Sequence, residues 1–523
     1  MRPSWRWMAA ALTAVALGAS ACAGGGTAAT GDGTFSVAVI EPDHLTPGRA
    51  SGGLDIVEAL FAPLTDLGDD GSLRYVQAES VTSQDNTTWT IKLRPGWTFH
   101  NGEPVTAHSY VDAWNATAYG PNGWANNGQL AGIAGYAELN TAQPATKELS
   151  GLKVVDDLTF TVTLSKPDSQ FPYQLTPAML GFYPLPKAAF TDPGAFDRAP
   201  VGDGPFKMEG KWETGGRITT TRYDAYQGEK PKSAGVTFVI YSDTATAYTD
   251  AQAGNVDVFM VPQDKYQQVR ADFPDRVVTY DAVAIDFLGL PPQDRRFADI
   301  RVRQALSMAI DRDAINKAIF AGMYRPLDSL LPDTTIGGGT DSCGRYCTFD
   351  PAAAKQLLTE AGGFSGTLEL WLPAGVGYEQ TFEAIANQLR QNLGLQVAVR
   401  TQPDFAQFLA ALDNHTITGP YRAHWGSLYP SAQNVLTSVF TETGVGYSAS
   451  YYSNPEVSAL IEQGNAATPE AAAAIYHQAE ARIMRDFPVI PLFSDAYVYA
   501  YGPRVSGVKV GSAELDLTGI TVS

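Results

Sequence analysis

The residues able to do chemistry are few for a chain of 523 positions: three cysteines and six histidines, beside 55 acidic and 36 basic residues. Cys343 and Cys347 are separated by Gly344-Arg345-Tyr346. Outside the cytoplasm a pair this close is most simply a disulfide. A metal site is the rival reading, but it would need two further ligands, and no histidine is near. His44, His100, His108, His415, His424 and His477 are scattered, and no His-Glu-x-x-His spacing occurs. His100 and His108 lie across a turn and a helix start, which suits a structural role. Gly363-Phe364-Ser365-Gly366 is followed by Thr367 and lacks the spacing of a nucleophile elbow. Val201-Gly202-Asp203-Gly204-Pro205-Phe206 has no following Lys-Ser/Thr, so it reads as a tight turn into a strand and not as a phosphate loop. Carboxylates are numerous, and no pair among them stands out. The expectation is no cofactor, no metal and no enzyme.

The elements around these residues follow from periodicity. Trp89, Ile91 and Leu93 alternate with Thr90, Lys92 and Arg94, the pattern of a half-buried strand. Pro95-Gly96 turns, Trp97-Thr98-Phe99 gives a second extended piece, and Asn101-Gly102 turns again. Thr106 is placed to cap a helix carrying Tyr110, Val111 and Trp114. Thr34 to Ile40 is a strand, and Leu54 to Leu67 carries a helix-like run that ends at Pro63-Leu64. Val302, Ala305, Leu306, Ala309 and Ile310 fall on one helical stripe, with a further helix beginning at Asp313; the arginines around them read as a solvated face. Asp350-Pro351 opens a helix that Gly362 closes. A strand through Leu368, Leu370 and Leu372, a helix from about Glu379 to Leu393 and a strand from Gln396 to Arg400 make a β-α-β unit, hence parallel sheet. A last helix runs from about Pro469 to Asp486.

Apolar residues at 44% and charged residues at 17% suit an ordered globular body, and the length allows two or three domains. Arg2 and Arg6 precede an apolar run from Trp7 to Ala19, too short to span a bilayer and placed as a signal peptide's core. The net charge is −19, and it is two units more negative once those arginines are removed. Such acidity argues against nucleic acid as a partner and serves solubility. Residues 22–33 are rich in Gly, Ala and Thr, a flexible tether.

The stretch WTIKLRPGWTFHNGEPVTAHSYVDAW, from Trp89 to Trp114, resembles the segment that marks the family 5 extracellular solute-binding proteins, the oligopeptide- and dipeptide-binding receptors of ABC importers. Five further stretches resemble that family in order: VGDGPF from Val201, AQAGNVDV from Ala251, RFADIRVRQALSMAIDR from Arg296, PVIPLF from Pro488 and PRV from Pro503. Together the resemblances run from about residue 35 to 510. They imply an α/β, two-lobed periplasmic-binding-protein-like fold of the class II, cluster C type, with mixed sheets and the larger lobe split into two subdomains. The division expected is a signal peptide at 1–21, a tether at 22–33, lobe I from 34–65, 203–287 and 500–523, its subdomain at 66–202, and lobe II at 288–499. Ala19-Ser20-Ala21-Cys22 resembles a lipoprotein signal, which would make Cys22 a lipid anchor to the outer face of the cell membrane. Ala19 stands where such signals usually have Leu, and Ala19-Ser20-Ala21 also satisfies an ordinary cleavage site.

The resemblance implies capture of a peptide or other small solute between lobes by a monomer, and delivery to an ABC permease. Arg422 to Ser431 resembles the family's ligand-binding loop, in which an Asp pairs with the α-ammonium group of a bound peptide. Leu428 occupies that position here. Trp425, Gly426, Ser427, Leu428 and Tyr429 are the candidate ligand contacts, with Trp425 and Tyr429 as apolar or stacking walls. Glu41 or Asp43, expected on the opposite lobe, offers a replacement carboxylate. The missing Asp favours a same-fold receptor for an oligosaccharide, metal chelate or secondary metabolite as the alternative; a ligand sensor is another. A secreted hydrolase lacks its nucleophile-base pair.

Overall fold

The computed structural model describes residues 33–68, 71–339, 341–375, 377–442, 450–511 and 515–523. The expected signal segment, Cys22 and the expected tether up to residue 32 lie outside the described residues. No helix among the described residues is long and apolar enough to cross a membrane.

Two large sheets organise the molecule. The first has seven strands, in the order Val277–Asp281, Ala496–Tyr501, Val258–Met260, Thr34–Ile40, Gly235–Tyr241, Ile218–Arg222 and Phe206–Glu209. Thr34–Ile40 runs parallel to both of its neighbours, whereas Ala496–Tyr501 runs antiparallel to both of its own. The second sheet has six, in the order Arg325–Pro326, Val489–Ser494, Ala284–Gly289, Tyr421–Gly426, Leu368–Pro373 and Val397–Gln402. Leu368–Pro373, the helix Glu379–Leu393 and Val397–Gln402 form the expected parallel β-α-β unit, and Gly394 ends that helix at φ 71°. A separate four-stranded antiparallel sheet packs its aromatic face on the helix Ala107–Ala118 through Tyr110, Trp114 and Phe160. Thr106 caps that helix in a reciprocal box with Ser109, so the cap is where its sequence places it.

The chain passes from the first sheet to the second at Ala282-Val283 and returns at Asp495. Both crossings fall a few residues ahead of the boundaries expected at 287/288 and 499/500. One buried core joins one face of the first sheet to the four-stranded unit; the other runs from Val239 and Phe259 on the first sheet and Tyr248 on the helix Thr244–Gln252 into the second.

Several local expectations need correction. The first helix covers only Leu54–Leu60, because the proline at Pro63 forces the preceding chain to extend. Trp97 to Phe99 forms no strand, only a bridge between Thr98 and Pro104. The helix Arg312–Ile319 is capped by Asp311, not begun at Asp313. The arginines near the helix Ile300–Met308 divide: Arg295 and Arg301 are exposed as expected of a solvated face, whereas Arg303 and Arg312 are not. Arg312 is 4% exposed and donates to the carbonyls of Pro491, Ser307 and Cys347. Arg303 donates to the carbonyls of Phe487 and Asp486, just beyond the helix Pro469–Asp486. A guanidinium has five donors in a rigid fork, and here it gathers orphaned backbone acceptors.

Candidate functional site

The two crossings lie side by side. The Ala282 amide donates to the Asp495 carbonyl at 2.9 Å, and the Ser494 hydroxyl donates to the Ala282 carbonyl at 3.0 Å. A cavity opens at this junction. The first sheet and its flanks supply Leu67, Thr176, Ala178, Tyr280 and Tyr497; the second supplies Ala284, Gly426, Ser427, Leu428 and Tyr429. Its volume of about 40 Å³ holds a few waters, far below the ~300 Å³ at which ligand pockets begin. A larger cavity of about 330 Å³ lies on the second lobe alone, beside Pro291, Arg303 and Tyr452.

The loop expected from Arg422 onward is instead a strand as far as Gly426, paired in register with Ala284–Gly289, and only Ser427 onward leaves it. That strand sorts the candidates. Gly426, Ser427, Leu428 and Tyr429 line the cavity, whereas Trp425 does not. The Trp425 indole packs on the second core and donates to Asn434 Oδ1 at 2.8 Å. Leu428 and Tyr429 pack against the core of the first lobe, and the Tyr429 hydroxyl bonds Gln433. Glu41 follows the strand Thr34–Ile40, away from the cavity lining. Its two oxygens accept from Trp212 Nε1 at 2.8 Å and the Gly215 amide at 2.7 Å. Asp43 is bound to Ser51. Cys343 and Cys347 are joined by a disulfide with a Cα separation of 5.6 Å, far along the chain from this cavity lining.

Beside the cavity the structure singles out a carboxylate pair that sequence reading passed over. Asp286 is buried in the strand Ala284–Gly289, directly across from His424. His424 Nδ1 lies 3.3 Å from Asp286 Oδ1 and 3.7 Å from Asp495 Oδ2. Arg422, two residues back on the same strand face, reaches Asp286 Oδ1 at 3.1 Å and lies 3.8 Å over the Tyr378 ring. The Tyr378 hydroxyl donates to Asp286 Oδ2. Burial opposes charge on Asp286, but the His424 ring, the Arg422 guanidinium and a hydrogen bond from Asp495 outweigh it and hold the carboxyl below the usual carboxylate range. Burial, followed by the charge of Asp286, pushes Asp495 well above the usual carboxylate range. One signal was legible in advance. Asp286 is the lone charge in the apolar run Val283 to Leu290, and a buried charge requires partners.

The family model for bacterial extracellular solute-binding proteins, family 5, middle region, matches residues 73–447. Among similar proteins, the periplasmic murein peptide-binding protein MppA of Escherichia coli is 27% identical over 91% of this chain and 90% of its own. The probable deoxycholate-binding periplasmic protein YgiS of the same species is 26% identical over 89% of each chain. The unliganded open form of the MppA murein tripeptide-binding protein superposes with a TM-score of 0.79 at 23% identity, covering 94% of this chain and 97% of that one. The fold is therefore the α/β, two-lobed architecture of periplasmic binding proteins, and the chain belongs to the bacterial extracellular solute-binding proteins of family 5.

Proposed function

We propose that this protein is the extracytoplasmic receptor of an ABC importer, capturing a peptide or peptide-like solute between its lobes and delivering it to a membrane permease. The observation that carries this reading is the small cavity at the two crossings, whose walls come from both lobes. Parting the lobes widens it, and closing them buries a solute and satisfies its polar groups. The work is binding and release, and no bond of the solute is broken. On this reading lobe I gathers residues 34 onward, the central stretch after 203 and the C-terminal strands around the subdomain 66–202, with lobe II between the crossings. Small-angle scattering provides the test: the radius of gyration falls and the melting temperature rises when the cognate solute is added. A tight solute that moves neither overturns the cleft.

The same reading places a monomer at the outer face of the cell membrane through lipid on Cys22. Cys22→Ser then shifts the protein from the membrane fraction to the medium. A wild-type protein already free of the membrane, with no lipid at its N-terminus, overturns the anchor.

A second reading, a solute that is not an ordinary peptide, draws on Leu428. The protein has hydrocarbon where a peptide receptor of this family holds a carboxylate, and one similar protein carries the name of a bile-acid binder. Native mass spectrometry of protein purified without denaturation distinguishes the two by the mass of what is retained.

A further inference from the structure

We propose that Asp286, His424 and Asp495 form a binding site for one divalent transition-metal ion, of the Zn²⁺ class, at the second crossing. The three side chains come from three places in the chain. Asp286 lies on the strand that follows the first crossing, His424 on the neighbouring strand, and Asp495 is the second crossing itself. Their ligating atoms all lie within 4.8 Å of one another.

The spacings also suit a metal, although His424 and Asp286 are within long hydrogen-bond reach at 3.3 Å. A charge-assisted N–H···O bond closes to about 2.7–2.9 Å. His424 Nδ1 instead stands 3.3 Å from one carboxylate oxygen and 3.7 Å from another. Donor atoms around a tetrahedral ion bound at ~2.0–2.1 Å lie about 3.3–3.4 Å apart. The gap between the ring nitrogen and the two oxygens is therefore close to the edge lengths of a coordination polyhedron.

The surroundings hold the donors in that arrangement. Tyr378 occupies Asp286 Oδ2, so Oδ1 is the atom turned to the histidine. Oδ1 has two lone pairs, and Arg422 takes only one direction. Such outer-shell bonds to a ligating carboxylate are what fix first-shell geometry. Asp495 Oδ1 is buried and has no hydrogen-bond partner. Three protein donors leave a coordination position open, as in zinc sites that bind an exogenous group. His424 and Asp495 are about a quarter and a fifth exposed, so that position has access to solvent.

The test uses the mature full-length chain, stripped with chelator and titrated with Zn²⁺ by calorimetry and with Co²⁺ by visible absorption. The expected result is one Zn²⁺ per chain and Co²⁺ bands of a low-symmetry nitrogen-oxygen site. His424→Ala and Asp495→Asn should each weaken uptake at least tenfold. Tyr378→Phe, which removes only an outer bond, should weaken it about ten- to a hundredfold. His108→Ala removes an exposed histidine 3.9 Å from Asp112 and should change nothing. The Co²⁺ spectrum of the unaltered chain needs no variant to fold. Absence of perturbed bands there overturns the site, as does uptake that survives His424→Ala or is lost with His108→Ala.

Discussion

Leu428 offers an incoming amine only hydrocarbon. In a dry cleft a missing charge-assisted bond costs about 1.5–3 kcal/mol, or roughly ten- to a hundredfold in affinity. Free-N-terminus di- to pentapeptides should therefore bind weakly, N-acetylation should change little, and Leu428→Asp should strengthen the free peptides. Calorimetry against paired free and acetylated peptides decides this. Sub-micromolar binding of free peptides that acetylation abolishes would assign the amine to another carboxylate. Glu41 is poorly placed for that role, because Trp212 and Gly215 already engage both its oxygens. The identity of residue 428 and its neighbours was legible from wording alone. Which of them turn to the cavity was not, since that depends on strand register: Trp425 sits one residue before the lining begins and faces the helix at Asn434.

The turn from Val201 to Phe206 shows how an element can hide its chemistry. Its glycines are there for space. A methyl group on Gly202 would lie 1.7 Å from the Leu60 carbonyl oxygen. The close approach buries Asp203, which accepts from the Ala62 amide at 3.1 Å and from Gln77 Nε2 at 2.6 Å, and burial raises its carboxyl to about 7. The adjacent His100 ring, 3.1 Å from the Gly204 carbonyl, is lowered by burial to about 4. These two groups act on stability with opposite signs. Between about 4 and 7 the unfolded chain has released the Asp203 proton while the folded one keeps it, so stability through Asp203 falls as pH rises. Between 6.5 and about 4 the unfolded chain has taken a proton at His100 and the folded one has not, so stability through His100 falls as pH drops. The slopes nearly cancel over their shared range. Urea unfolding should show the cost of Asp203→Asn shrinking by about 2–3 kcal/mol from pH 5 to pH 8. The cost of His100→Gln should grow over the same interval by about 2 kcal/mol. Parallel pH profiles for the two variants would contradict this. The sequence revealed the turn but not the buried acid, because Gln77 and Tyr110, which complete its network, lie far away in the chain. Helices fared better where the local signals were complete. Glu379–Leu393 is stopped by Gly394, and Pro469–Asp486 begins on a proline, and both run as their sequences indicate.

Across the whole molecule, the lobes are tied together away from the crossings as well. Ser431 bonds Gln170 at 2.8 Å, Gln433 bonds Asp168 at 2.9 Å, and Asn86 donates to the Ala466 carbonyl. These ties span the lobes away from the covalent crossings, and such long-range contacts are announced by no local pattern. The strand Ala496–Tyr501 adds a constraint of a different kind. It lies inside the first sheet, between Val258–Met260 and Val277–Asp281, yet it is made about two hundred residues after them. This strand is made only after every strand of the second sheet, so the first sheet waits with a gap until then. A chain cut after Ser494 lacks this strand and should then lose the fold of the first lobe. Limited proteolysis and circular dichroism will show it, and a stable N-terminal fragment would contradict it. On the proposed reading of an exported receptor, this delay would be protective: tertiary structure able to jam a channel that threads the chain unfolded is withheld by topology until the second sheet has been made.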